Sequence, residues 1–323
     1  MTFPGVSVVI PTAGRSTVRA AVLSALDQTC APLEVIVVVD TTECTIPAVL
    51  SDIANSIRVF FTGGIGANGA RMRGVTESRG QIIAFLDDDD TWAAEKLERQ
   101  LAAWQAAIAT QRHALVSCRV AVINGDGQRL TTLPARIFSP QERIASYLFR
   151  RTSISFGEGG LHTSTLMCDR ELLELEPWDL HLSRHQDWDW VLRVDERHDV
   201  AIRMCPDVLV DVAVGDARSI SRSGDWSASL SWLEKRSDQL TARERGDFLL
   251  CHTATIAFRS GSRRGGLIAA AQALRSGRPG LAAWVVWGIH MISPRLVDHA
   301  SAMLHRLPSA RSRQAGTTGR IQV

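Results

Sequence analysis

Residues 1–123 alternate short β-branched runs with helical patterns, and this alternation limits the fold more than any other feature of the sequence. Strands that alternate with helices in this way build a mostly parallel, doubly wound sheet with helices on its faces. We therefore expect an α/β fold. The predicted strands are 6–10, 34–39, 57–61, 82–86 and 114–118, and the predicted helices between them are 17–27, 45–55, 68–78 and 93–111.

Four consecutive aspartates, Asp87 to Asp90, follow the apolar strand 82–86. In an open α/β sheet, ligands bind at the carboxyl ends of the strands, which is where these side chains are expected. Adjacent carboxylates repel one another, so a hard divalent cation is a natural counter-ion. The alternative is a solvated acidic turn that caps a helix beginning near Thr91.

Two further segments are predicted to lie at the same edge of the sheet. Asp40 ends the second strand, where its carboxylate could accept an N–H from a uracil, thymine or guanine ring; an Asx-type turn is the alternative. Residues 63–74 form a glycine-rich approach to a helix, in which glycine lets the backbone come close to a ligand. Arg71 and Arg73 offer positive charge to a diphosphate there.

Two later segments hold the remaining candidate residues. Residues 153–165 are polar and glycine-rich, which is typical of a substrate loop, and they include His162. If Asp187 opens a helix, an apolar face follows it, and Asp187 and Asp189 lie at the positive end of the helix dipole. A helix-opening aspartate is otherwise a simple cap.

From residue 225 onward the pattern is helical, with predicted helices at 226–245, 247–260, 263–276, 280–292 and 295–306. Residues 281–292 are apolar nearly all round and carry two tryptophans, and arginines precede them. Such a helix is suited to contact with an anionic membrane surface, so we predict peripheral membrane contact through 263–293. Packing into the C-terminal core or against a partner is the alternative. We expect a disordered tail over 309–323.

Composition excludes some classes of protein. The chain of 323 residues has a net charge of +2, which does not indicate wholesale nucleic-acid binding. No apolar run reaches the roughly 18–20 residues of a membrane-spanning helix. Six scattered cysteines without a C-x-x-C pair are typical of reduced thiols, which predicts a cytoplasmic protein. With the membrane contact predicted for 263–293, the expected localisation is cytoplasmic or peripheral at the inner face of the cell membrane.

Three spaced motifs together resemble family 2 glycosyltransferases of the GT-A fold. They are Val-Ser-Val-Val-Ile-Pro-Thr at 6–12, Phe-Leu-Asp-Asp-Asp-Asp-Thr-Trp at 85–92 and Gln-Asp-Trp-Asp at 186–189. The acidic block is similar to the D-x-D motif of that family. Three departures are that Val-Asp-Thr-Thr at 39–42 replaces the usual Asp-Asp-Gly-Ser, that Arg71-Met72 replaces the usual Arg-Asn, and that Gln186 replaces a glutamate. The resemblance implies a GT-A domain over 1–225 and a helical extension over 226–308.

The resemblance also implies roles for individual residues. Asp187 matches the catalytic aspartate, and Asp89 and Asp87 match the ligands of Mg²⁺ or Mn²⁺, with Asp89 the direct ligand. On the acceptor side we predict His162, Trp188 and Asp189. The implied donor-binding residues are Pro11, Thr12, Arg15, Asp40, Arg71, Asp87 and Asp88.

The implied reaction is metal-dependent, inverting transfer of a sugar from a nucleoside-diphosphate sugar of UDP, dTDP or GDP type. The implied acceptor is a glycan, a lipid-linked molecule or a small molecule, as in cell-surface polysaccharide or glycoconjugate biosynthesis. Two other interpretations stay open. Clustered aspartates also serve nucleotidyl transfer, which would give Asp187 no role. The chain could also be a non-catalytic scaffold that binds nucleotide sugars.

Overall fold

Nine strands of the computed structural model, which describes residues 4–155, 157–213 and 224–293, join one mixed sheet. Four of the five predicted runs form inner strands of the sheet, whereas the run at 57–61 forms the edge strand β3 and is only partly buried. The strands are β1 Val6–Thr12, β2 Glu34–Val39, β3 Arg58–Phe61, β4 Ile82–Phe85, β5 Asp90–Trp92, β6 His113–Ile123, β7 Arg129–Leu133, β8 Met167–Asp169 and β9 Val200–Ala213.

The helices fall into an N-terminal group between the strands and a C-terminal group that follows them. The first group is α1 Val18–Leu26, α2 Ala67–Glu77, α3 Lys96–Ile108, α4 Ile144–Phe149, α5 Arg170–Leu175 and α6 Gln186–Asp195. The second is α7 Trp226–Lys235, α8 Ala242–Phe248, α9 Ala254–Arg259, α10 Arg263–Ser276 and α11 Leu281–Ile292, with a π-helical turn, Leu249–Thr253, between α8 and α9.

The strand order is β3-β2-β1-β4-β8-β6-β9-β5, with β7 paired to β6. Pairing is parallel through β3, β2, β1 and β4, and again between β6 and β9. The α/β class with a mostly parallel sheet is therefore confirmed. The short strands β5, β7 and β8 pair antiparallel with their neighbours, and β8 joins the two parallel parts.

Alternate residues of each central strand enter two different cores. Val8, Ile10 and Ile82 pack with α1 and α3 on one face of the sheet. Val9 and Phe85 enter the other core, which includes Trp190 of α6 and also Trp232, Phe248 and Ala283 of the C-terminal helices. This buried cluster spans the boundary proposed at residue 225, so the helical extension packs directly on the sheet-bearing part.

Several predicted elements differ from the structure. Residues 45–55 form a 3₁₀ helix, Ala48–Ser56, and predicted helix 226–245 breaks at Arg236. Strand β9, which contains Pro206, lies between β6 and β5. Its proline falls where the β6–β9 register shifts, so it removes no regular ladder bond.

Two other predictions lie outside the described residues: the helix at 295–306 and the disordered tail at 309–323. Within residues 4–155, 157–213 and 224–293, every helix is too short or insufficiently apolar to cross a bilayer.

Helix α2 can approach the sheet closely because residue 74 is glycine. A Cβ at Gly74 would lie 2.4 Å from Cγ1 of Val9, which is fully buried in β1. We expect Gly74→Ala to lower the free energy of unfolding by about 1–2 kcal/mol, because overpacking outweighs the better helix propensity of alanine.

The matched control is Gly288→Ala, a helical glycine whose added Cβ would meet open space. It should leave stability unchanged or raise it by up to about 1 kcal/mol. Urea unfolding measures both variants, and equal effects would contradict the close contact between α2 and β1.

Candidate active site

The acidic turn, Asp87–Asp90, leads from β4 into β5 at the carboxyl edge of the parallel strands. Asp88 and Asp90 are buried, and the backbone N–H of Asp87 donates to Ser164 Oγ at 3.0 Å. The turn is therefore neither solvated nor a helix cap. Asp90 begins β5, and the next helix starts only at Lys96.

Two arginines and a threonine bind three of the four carboxylates. Arg71 Nη2 lies 2.6 Å from Asp87 Oδ1, and Arg15 Nη1 lies 3.2 Å from Asp88 and 2.8 Å from Asp89. Thr12 Oγ1 donates to Asp88 Oδ2 at 2.6 Å. The pKa of Asp87 is lowered because Arg71 and His162 outweigh its burial.

The fourth carboxylate, Asp90, contacts the loop that carries His162. Ser164 Oγ donates to Asp90 Oδ2, and His162 Nδ1 lies 3.5 Å from the same oxygen. Burial raises the pKa of Asp90 to about 7, although His162 acts in the opposite direction. A carboxylate buried in this way gains most from a nearby positive charge.

Asp87, Asp90 and His162 each offer one ligand atom, and these atoms lie within 4.8 Å of one another. Two carboxylates and an imidazole fit a divalent cation such as Mn²⁺. The set differs from the predicted one, since Asp89 is bound to Arg15 in this structure. His162, which we predicted on the acceptor side, lies beside the acidic turn.

Asp40 organises the glycine-rich loop before α2. Its Oδ1 accepts from Thr62 Oγ1 and from the N–H groups of Gly64 and Ile65, and its Oδ2 accepts from Gly66 N–H, all at 2.7–2.8 Å. Gly64 and Gly66 have positive φ, which glycine adopts without strain. These partners lie 22–26 residues along the chain, so the Asp40 side chain holds this loop in place rather than forming an Asx-type turn.

Asp187 lies in the first turn of α6, and its Oδ1 accepts from the N–H of Trp188 at 2.9 Å. Burial raises the pKa of Asp187, whereas His162 and Arg71 act to lower it. A raised pKa brings a carboxylate closer to the range in which general bases work near neutral pH.

Asp187 and the acidic turn share one site. Arg71 joins them, because it contacts Asp87 and also lies 3.5 Å from Oε1 of Gln186, the residue before Asp187. His162 lies near both parts of the site. Burial lowers the pKa of His162, but the nearby carboxylates outweigh burial and raise it; they belong to Asp90, Asp87, Asp187 and Asp89.

Pro11, Trp188 and Asp189 occupy three different environments. Pro11 is buried within β1. Trp188 is half-buried and stacks on His185 with ring centroids 4.9 Å apart. Asp189 is fully buried and faces the C-terminal helices rather than the site, so its prediction as an acceptor-side residue is wrong.

Asp189 is held by a clamp of three side chains. Arg236 binds it through Nε at 2.6 Å and Nη2 at 3.0 Å, Trp232 Nε1 donates at 3.0 Å, and Arg193 Nε lies 3.2 Å away. A carboxylate with 0% exposure needs such compensation. The clamp fixes α6, and with it Asp187, against α7.

Sequence reasoning included Asp90 in the acidic run but gave it no role of its own, and it missed Ser164. The signal for Asp90 was present, since it is the fourth aspartate of the run. Ser164 lies in the polar segment 153–165, but no local pattern indicates that its hydroxyl bridges Asp87 and Asp90.

Residues 7–174, about half of the chain, match the family model described as Glycosyl transferase family 2. The amylovoran biosynthesis glycosyltransferase AmsB of Erwinia amylovora is 28% identical over 183 residues, which are 54% of this chain and 56% of that protein. The UDP-Glc:alpha-D-GlcNAc-diphosphoundecaprenol beta-1,3-glucosyltransferase WfgD of Escherichia coli is 34% identical over 99 residues, 30% of this chain and 39% of that protein. The chain thus spans about half of these relatives or less.

The fold is similar to that of S. aureus TarS residues 1–349. The structure of TarS in complex with UDP-GlcNAc gives a TM-score of 0.50 at 13% identity, covering 84% of this chain and 91% of that chain. At this identity the likeness concerns the fold alone.

Breaking the clamp around Asp189 should destabilise the protein. Asp189→Asn removes the buried charge that two arginines share, and we expect a loss of about 3 kcal/mol in the free energy of unfolding. Asp238→Asn, an exposed carboxylate in the same region, serves as control and should change stability by less than about 0.5 kcal/mol. Urea unfolding compares them, and a stable Asp189→Asn variant would contradict this role of the clamp.

Proposed function

This chain belongs to glycosyl transferase family 2 and is a glycosyltransferase with the GT-A fold, and on that premise we propose that it transfers a sugar from a nucleoside-diphosphate sugar to an acceptor hydroxyl with inversion. The observation that supports this most is the link made by Arg71. It contacts Asp87 of the acidic turn and Gln186 beside Asp187, so the expected donor side and the expected base are neighbours.

The donor in this proposal is a UDP-sugar. A solved structure with this fold holds UDP-GlcNAc, and the WfgD relative is named for UDP-Glc. The proposed donor contacts are Pro11, Thr12, Arg15, Asp40, Arg71, Asp87 and Asp88. Asp40 keeps a lone pair for the N3–H of uracil, since its Oδ2 accepts one hydrogen bond from the protein.

Asp87, Asp90 and His162 would hold Mn²⁺ or Mg²⁺ in this proposal, with Asp89 in the same turn. The imidazole favours Mn²⁺, because Mg²⁺ prefers oxygen ligands. A bound cation neutralises charge on the departing nucleoside diphosphate. Arg15 and Arg71 place positive charge on both sides of the turn, and this charge also stabilises a negatively charged diphosphate.

Asp187 is the proposed general base. Its carboxylate takes the proton of the acceptor hydroxyl as that oxygen attacks the anomeric carbon. The bond to the diphosphate breaks in the same displacement, so no enzyme nucleophile is required. Burial, which raises the pKa of Asp187, suits this role.

The acceptor is proposed to approach along Trp188, whose half-buried ring follows Asp187 directly. Aromatic faces pack well against the C–H faces of sugars. The names of AmsB and WfgD favour an acceptor used in polysaccharide assembly, including one carried on a lipid diphosphate. On this proposal the enzyme works on the cytoplasmic side of the membrane.

Substitution of Asp187 tests this proposal. With Mn²⁺ and UDP-GlcNAc, Asp187→Asn should lower the rate of donor hydrolysis by roughly 100-fold or more, because the base that activates the attacking oxygen is lost. The affinity for UDP should stay within about twofold, since Asp187 does not hold the nucleotide.

Asp126→Asn, a carboxylate on the exposed hairpin turn, is the matched control and should hydrolyse the donor like the wild type. Cleavage of the glycosyl bond of UDP-GlcNAc releases UDP. A nucleotidyltransferase would instead release pyrophosphate, and only when UTP and a sugar 1-phosphate are supplied in place of UDP-GlcNAc. Unchanged hydrolysis by Asp187→Asn would remove it from the mechanism. Wild-type protein that binds UDP-sugars but does not hydrolyse them would favour the interpretation as a non-catalytic scaffold.

A further inference from the structure

Helix α11 buries one face and exposes another, and both are apolar. Its inner face, which includes Ala283 and Val286, is buried against the C-terminal core. Its outer face follows the spacing 281, 285, 289, 292, which keeps the side chains on one side of the helix. These side chains are exposed by 81%, 41%, 40% and 79% and belong to Leu281, Val285, Ile289 and Ile292.

Such an outer face is unusual for a helix at the surface of a protein in water. The solvent side of an amphipathic helix is normally polar, as in α3, where Glu98 and Arg99 are exposed. The only titratable side chain of α11 is His290, which is buried. A contiguous apolar row of this kind marks an interaction surface rather than a chance exposure.

The sequence segment that contains α11 carries exposed charge of a single sign. The carboxylate of Asp247, at the start of α11, accepts from the Gly280 N–H and is fully buried and bound to Arg243. Residues 254–293 contain five arginines and no aspartate or glutamate. Four of these arginines are exposed and form no ion pair with any residue in the part of the chain that the structure describes: Arg263, Arg264, Arg275 and Arg278. Exposed arginines close in sequence to an apolar helix face are suited to binding a partner surface that is both negatively charged and apolar.

We propose that α11, flanked by the arginines of α10 and of the α10–α11 connection, docks this protein on an anionic lipid surface. The apolar row enters the boundary between head groups and acyl chains, and the arginines face the anionic head groups. Trp284 and Trp287 pack against the protein core, and Trp287 Nε1 donates to the Gly266 carbonyl, so they hold α11 in place while its apolar row faces outward. This inference goes beyond the proposed reaction and does not depend on it.

Charge also argues against two other partners that could cover the outer face of α11: a second copy of the protein, and the chain's own segment after residue 293. A second copy placed face to face on α11 would bring two arginine-rich segments together without a carboxylate between them. The chain after residue 293 adds five more arginines and a single aspartate, so covering α11 with that segment would also bring like charges together. An anionic bilayer meets neither objection.

Vesicle co-sedimentation of the full chain tests the proposal. Wild-type protein should pellet with vesicles that contain phosphatidylglycerol, and it should stay in the supernatant with pure phosphatidylcholine. The double variant Leu281→Ser, Ile292→Ser should bind the anionic vesicles at least about tenfold more weakly, because it removes the two most exposed apolar side chains. High salt should weaken the wild-type binding.

The control variant is Leu175→Ser, which removes an exposed leucine of α5 and should bind like the wild type. Hydrolysis of a soluble donor should be equal in all three proteins, which separates docking from catalysis and from misfolding. Wild-type protein that ignores anionic vesicles would overturn the proposal. Binding of the double variant to anionic vesicles as strong as that of the wild type would also overturn it. A wild-type dimer in light scattering that becomes monomeric in the double variant would overturn it as well, because the apolar row would then be a dimer interface.

Discussion

Four carboxylates at the end of one buried strand repel one another, and much of the surrounding structure compensates that charge. Arg15 follows β1, Arg71 lies in α2, and His162 comes from the loop before β8. Each contacts a different part of the acidic turn. The turn therefore gathers three distant segments around one point at the carboxyl edge of the sheet.

The site also depends on the C-terminal helices, which at first sight are an extension. They share a buried core with the sheet, and Arg236 and Trp232 bind Asp189, two residues after Asp187. Helix α6 is thus fixed on one side by Arg71 at its N-terminus and on the other by this clamp. Positioning a base within a few tenths of an ångström requires such support, because catalytic groups act only in a narrow geometry.

Local sequence predicted the parts of the structure whose causes are local. The run 34–39 matches β2, and the four aspartates after an apolar run indicated the site. Contacts set by distant residues escaped prediction. Ser164 and Asp90 are 74 residues apart, Arg236 and Asp189 are 47 apart, and β8 is a three-residue strand that exists only through its neighbours. The register shift that accommodates Pro206 is likewise a property of the pair of strands β6 and β9.

Binding of Mn²⁺ tests the central claim most directly, namely that the acidic turn and His162 together form a cation site. Titration followed by electron paramagnetic resonance, in the presence of UDP, should give saturable binding by the wild type. His162→Ala should weaken it by at least about tenfold, since even outer-shell changes at metal sites cost that much. His198→Ala, an exposed histidine, should bind like the wild type. Equal Mn²⁺ affinity in wild type and His162→Ala would contradict the claim.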